Sequence, residues 1–337
     1  MIFAGSAAHA GFEQTDADPA SPTTAPAVNP DAWDLTIRVY AGQNSNVPKA
    51  PDQTFLIGDQ DSALVGAAVR GTYRFSDTEQ WLVGITVRAD GTIYTEDNDK
   101  PAAVLFEDYG SPHEYNQWTV HPTLFAIRRF DLDGTPATFG GQYSFRHEDA
   151  PDIEGIGLNA HSFQVNGSAH VSPRVSVDGA YSYTITDYDV TFPSPMLDDR
   201  DADYQRATAR VTYHAPGGGS GRASLSVFYA DNDAEGRNWD YDSYGVAGQI
   251  KSHLFGPFWT NLDLSYEDRD YGGFISPWVP APGRKESEIW NYGVQFLWPI
   301  TEHCMWDLTI RHTEVGANSP QFRVDGTRLI GGFTYTF

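Results

Sequence analysis

Sulfur is almost missing from this chain of 337 residues: it has 3 Met and one Cys, Cys304. A single thiol excludes an intramolecular disulfide framework, a cysteine-built structural zinc site and a CxxCH haem attachment. Long apolar runs are missing as well. A stretch such as Ala63 to Val69 falls far short of the about 18 consecutive apolar residues of a membrane helix, so no helix of this sequence spans a bilayer. Basic residues are scarce, with 22 Lys plus Arg against 45 Asp plus Glu and a net charge of -23. Phosphate binding needs clustered Lys and Arg, so nucleic acid is set aside as a partner. No GxSxG, HExxH, Walker A or dinucleotide fingerprint occurs, and His113, Glu114, His147, Glu148 and Asp149 supply acid-base residue types without a motif to join them. The expectation is a protein that is not an enzyme.

What the chain has in excess is aromatic: 18 Tyr, 19 Phe and 9 Trp, alongside 32 Gly and a mean hydropathy of -0.43. Tyr, Trp and Gly in a polar background fit a sheet that meets a membrane interface better than the Leu/Ile core of a soluble enzyme. In the closing segment, Leu329, Gly331, Phe333, Tyr335 and Phe337 share one face and Ile330, Gly332, Thr334 and Thr336 the other. A last strand with a terminal aromatic resembles the C-terminal signal of bacterial outer-membrane β-barrels. Phe333, Tyr335 and Phe337 are then the assembly signal, and the barrel assembly machinery is a partner. The front agrees: Ser6-Ala-Ala-His-Ala10-Gly11 has the small-x-small shape of a signal-peptidase site. Residues 1–10 read as a residual signal peptide and cleavage region, 11–30 as a disordered periplasmic tether rich in Pro, Ala, Thr and Asp, and 31–337 as the barrel.

From Trp33 onward the period is two. Strands are expected near 33–41, 62–75, 81–96, 115–130, 137–147, 158–171, 175–188, 202–215, 221–232, 241–253, 258–271, 285–299, 303–315 and 323–337. Short and long connections alternate between them. About fourteen strands is an even count, as an all-β, transmembrane, antiparallel up-and-down barrel requires when both termini are periplasmic. Closure follows from the solvent, since hydrocarbon satisfies no backbone polar group and a spanning sheet can leave no edge.

If the apolar face meets outer-membrane lipid, the lumen or constriction is lined by Arg38, Arg70, Arg74, Arg88, Arg146, Arg206, Arg210, Lys251 and Arg311, interleaved with Asp90, Asp178 and Asp263. Asp34, Glu267 and Asp307 share that face. Such groups must pair across the lumen or contact water. Two readings stay open: a salt-bridge network that fills a narrow barrel, or a wet passage whose arginines attract anionic or sugar-like solutes. The loops are acidic, and Asp198, Asp199, Asp201 and Asp203 are the candidate metal ligands, because calcium favours closely spaced carboxylates. They lack the turn glycine and distal Glu of an EF-hand, so the expectation is loosely bound calcium in extracellular loops and no other cofactor.

One stretch carries a family likeness. Trp33, Leu35, Gly42, Ser45, Asn46, Val47, Pro51 and Asp52, followed by Gly71, Tyr73 and Phe75, resemble the opening of the barrel domain in surface lipoprotein assembly modifier-like proteins, which join periplasmic repeats to a barrel. Here Asn44 replaces the usual acidic residue, and a Pro-rich tether stands where the repeats would be. The resemblance implies a barrel in the outer membrane; client export is tied to the repeats. The expected function is a porin-like channel giving passive passage to small polar or charged solutes. The alternative is a plugged secretion or scaffold barrel serving a protein or polysaccharide client with a periplasmic partner; for either reading a homo-oligomer is a further partner expectation.

Overall fold

The structure is a computed structural model that describes residues 32–45, 61–95, 116–149, 157–188, 199–216, 221–237, 239–272, 286–318 and 323–337. The cleavage region and tether, residues 1–30, lie outside them. Fourteen strands form one closed sheet: β1 Trp33–Asn44, β2 Ser62–Asp77, β3 Trp81–Tyr94, β4 Gln117–Leu132, β5 Thr135–Asp149, β6 Leu158–Ser172, β7 Val175–Tyr188, β8 Ala202–His214, β9 Arg222–Ala234, β10 Tyr241–Phe255, β11 Phe258–Tyr271, β12 Glu286–Pro299, β13 Cys304–Ala317 and β14 Val324–Thr336. Each strand pairs antiparallel with its sequence neighbours, and β1 pairs with β14 to close the ring. This is the up-and-down barrel that the period of two predicts.

Strand ends depart from expectation by one to three residues: β3 stops at Tyr94, short of the expected 96, and β14 spans Val324–Thr336 within the expected 323–337, while others run on. β1 reaches Asn44, β9 reaches Ala234 and β13 reaches Ala317. The apolar alternation stops at the edge of the outer band, whereas the backbone ladder continues beyond it, so hydrophobic pattern alone ends these strands early. β5 starts at Thr135 because Asp133 and Gly134 make a two-residue turn with φ of 52° and 86°. Positive φ at both central positions is the type I′ geometry that matches strand twist, and Asp-Gly suits it. Inside the wall, pairing between β4 and β5 passes from Val120–His147 to Thr123–Ser144 across Pro122, which has no N–H to give the ladder.

The two faces of the sheet are chemically opposite. Outward positions carry exposed Val39, Val69, Val87, Leu124, Val165, Val227, Leu262, Ile310 and Leu329. Toward the rim where the tight turns lie, and where the sheet holds the start of β1 and the end of β14, this band is edged by Trp33, Tyr73, Trp81, Trp298 and Tyr335. Toward the other rim it is edged by Trp118, Tyr229, Tyr244 and Tyr292. An apolar girdle of this extent between aromatic rings has no place in water, where contiguous exposed patches rarely exceed a few hundred Å². It is the surface of a barrel solvated by lipid.

Candidate functional site

The barrel interior is the one concave surface built by all fourteen strands. In an antiparallel ladder, directly opposed residues point to the same face, so the register carries the lumen assignment around the ring. Arg38 leads through Ala68 to Asp90; Arg70 opposes Arg88; Asp178 opposes Arg210; Arg206 opposes Ala230; Lys251 opposes Arg222; Asp263 opposes Gly293, which opposes Arg311. Arg74 and Arg146 fall on the same parity. All twelve residues chosen from sequence therefore occupy inward register positions. So do Arg129, Arg222, Arg269 and Arg328, together with Asp34, Glu148, Glu267 and Asp307. Basic groups outnumber acidic ones on this face although the chain as a whole is strongly acidic.

Part of that charge is internally matched. Arg38 grips Asp307 with Nε to Oδ1 at 3.2 Å and Nη2 to Oδ2 at 2.5 Å. Arg74 pairs with Asp34 at 2.5 Å, Arg88 with Asp90 at 2.9 Å and Arg129 with Asp77 at 3.0 Å. Arg206 stacks on the Phe228 ring, 3.8 Å from its centroid. Arg70, Arg210, Arg311 and Arg328 form no ion pair among the described residues, so the wall keeps a surplus of guanidinium groups facing the interior.

Inward side chains are more buried toward the rim of longer connections. There Arg269 Nε donates to Glu267 Oε1 at 2.7 Å with both side chains 3% exposed or less, and the guanidinium lies 4.6 Å from the centroid of Tyr241, whose ring in turn packs against Tyr271. Ser243 and Ser287 oppose Arg269 on either side and are buried with it, as are Ile289 and Ala230. Mid-lumen residues such as Arg70 and Arg311 are exposed. Water reaches the middle of the barrel and is largely excluded from this end.

No family model and no curated protein matches the chain. Among solved structures it is similar to OccAB4 of Acinetobacter baumannii, at 10% identity over 92% of this chain and 100% of that one, with a TM-score of 0.46. OccAB3 of the same organism follows at 8% identity over 90% and 99%, TM-score 0.47. A BenF-like porin from Pseudomonas fluorescens Pf-5 gives 9% identity over 91% and 98%, TM-score 0.43. These are likenesses of barrel architecture alone.

The remaining sequence candidates are dispersed. Asp198 lies outside the described residues. Asp199 Oδ1 accepts from the Asp201 N–H at 3.1 Å, Asp201 Oδ1 accepts from the Tyr188 N–H at 2.7 Å, and Asp203 sits on the outward face opposite Ile185. Asp199 and Asp201 cap backbone N–H groups, whereas Asp203 stands on the outer face of β8. Among the described residues no cluster of three or more His, Cys, Asp or Glu could hold a metal. Of the acid-base types, His113 and Glu114 lie outside the described residues, His147 faces outward against Trp118 and Asn159, and Glu148 is buried inside. Phe333, Tyr335 and Phe337 line up on the outer surface, with Tyr335 and Phe337 edge to face at 4.7 Å.

Four inward arginines escaped the sequence reading. Arg269 shares parity with Asp263 and Glu267, and that alternation would have found it. Arg328 was masked by Ile330, an apolar residue at an inward position of β14.

Proposed function

We propose that this chain is a bacterial outer-membrane channel that gives small polar or charged solutes passive passage through a charge-lined lumen. The observation that carries the reading is the inversion of the faces: an apolar girdle outside, and inside a wall of arginines of which Arg70, Arg210, Arg311 and Arg328 have no ion-pair partner among the described residues. Unpaired charge is tolerated in a water-filled barrel and prohibitive in a dry one. Fourteen strands lie between the eight that side chains can fill and the 16–18 that leave an open channel. The turn rim, with the start of β1 and the end of β14, then faces the periplasm, the terminal Phe337 strand addresses the assembly machinery, and the acidic rim faces outside and holds divalent ions loosely.

One observation favours a second reading. The Arg269–Glu267–Tyr241 group is packed dry at the loop-side end of β10 and β11, as a plugged secretion or scaffold barrel would have it. Conductance of the purified full chain in a planar bilayer separates the two. Stable openings support the channel; silence from barrels shown to be folded and inserted overturns it in favour of the plugged reading.

A further inference from the structure

Most basic residues of the lumen have a carboxylate or an aromatic ring beside them; two that do not stand side by side. Arg311 of β13 and Arg328 of β14 are directly opposed in register, and both point inward. Like charges placed directly across a strand pair destabilise it. Arg328 Nε is buried and makes no hydrogen bond among the described residues. The flanking inward positions offer no compensating acid on the two adjoining strands: Asn44 opposes Arg328 on β1 and Gly293 opposes Arg311 on β12. Two strands from Arg311, Asp263 on β11 leans into the space where a Gly293 side chain would be and is itself partnered. The other opposed arginines differ, because Arg88 is bonded to Asp90 at 2.9 Å.

We propose that Arg311 and Arg328 form a twin-guanidinium subsite for a doubly charged oxyanion, so that the solute passed by this channel carries a phosphate-type group. Opposed Cα atoms in a ladder are only about 4.5–5.5 Å apart, close enough for two planar forks to engage different edges of one tetrahedral anion. A monoanion leaves one of the two charges uncompensated, whereas a dianion matches both. The proposal rests on the channel reading for its transport consequence and on the geometry alone for binding.

The experiment uses inorganic phosphate at pH 7.5 and the full chain in two assays. In planar bilayers bathed in chloride, phosphate lowers the chloride current at concentrations where acetate does not, and R311Q/R328Q raises the half-blocking concentration about tenfold or more, as expected when charged hydrogen bonds are lost. A current equally insensitive to phosphate and acetate, or equally blocked in the variant, overturns the subsite while leaving the channel. Calorimetric titration of phosphate into the detergent-solubilised barrel reads binding without any pore. Binding that disappears in R311Q/R328Q supports the subsite even where no openings are seen, and absence of binding to the unaltered chain overturns it. R311K/R328K keeps the charge and removes the forks; a folded Lys variant with weakened phosphate binding supports the geometry, and undiminished binding overturns it.

Discussion

Thirteen of the fourteen strand pairs are joined by a connection; the β1–β14 seam is not, and its closure is the costly one. Loop-closure entropy grows by about 0.6 kcal/mol per doubling of loop length, so closing the whole chain rather than a two-residue turn costs about 4 kcal/mol more. Beyond the backbone ladder, the seam is fastened by Arg38 of β1, which reaches across β14 to Asp307 of β13. It can do so because Gly332 lies between them: a Cβ there would sit 3.1 Å from Arg38 Nε and 3.0 Å from the Val39 carbonyl oxygen. Hydrogen bonds to charged groups contribute about 1.5–3 kcal/mol each. Asp307 is 3% exposed and Arg38 31%, so the guanidinium recovers part of its hydration when its partner is removed. We expect a coupling of about 2 kcal/mol, roughly half the closure cost. The cycle is Arg38→Gln, Asp307→Asn and both, measured by reversible urea unfolding in lipid vesicles, with Gly332→Ala as an independent perturbation that displaces the pair and keeps its chemistry. A coupling below about 0.5 kcal/mol, the value of an ordinary exposed pair, refutes the idea that this bridge holds the seam.

Glu267→Ala leaves the buried Arg269 guanidinium without its carboxylate and should cost about 3–5 kcal/mol in the same unfolding assay; a change under 1 kcal/mol means that the loop-side end is wet. Val227 is 55% exposed on the outer band, and Val227→Arg should destabilise the barrel in vesicles by about 2–4 kcal/mol, while a neutral result argues against lipid on that face. Between β9 and β10, burial pushes the Asp240 carboxyl above the usual carboxylate range, with Asp233, Asp231 and Asp242 adding to the shift. Its folded form therefore binds the proton more tightly than the unfolded chain. Stability should rise as pH falls from neutral through the upper carboxylate range, and Asp240→Asn should flatten that slope; an unchanged slope assigns the effect elsewhere.

The barrel was legible because lipid on one side and water on the other imposes a period of two with no exceptions that matter to the count. Trp33, Leu35, Ile37 and Val39 against Asp34, Thr36, Arg38 and Tyr40 is a pattern that only one arrangement of a strand satisfies. The same parity put the twelve charged candidates on the inner face. What parity cannot give is the partner of each charge, because that depends on register across strands distant in sequence: nothing local to Arg38 points to Asp307, 269 positions away. Nor does a run of aspartates reveal direction. Asp201 and Asp203 look like neighbouring ligands in sequence, yet one caps the Tyr188 amide and the other faces outward, since residues two apart in an extended chain share a face only when both belong to the strand.

The net charge of -23 would suggest a passage hostile to anions, and the placement of the charges argues the reverse. Many carboxylates stand on the outer face near the loop-side rim, where Tyr229 bonds to Asp242 and Tyr244 to Asp268. A solute inside the barrel is separated from them by the wall. At physiological ionic strength exposed charges are screened beyond about 8 Å, so the potential along the passage is set by the groups that line it. Among them Arg70, Arg210, Arg311 and Arg328 form no ion pair with the described residues, and the matched pairs contribute little at a distance. Charge sorted by face, rather than summed along the chain, sets the potential inside this barrel.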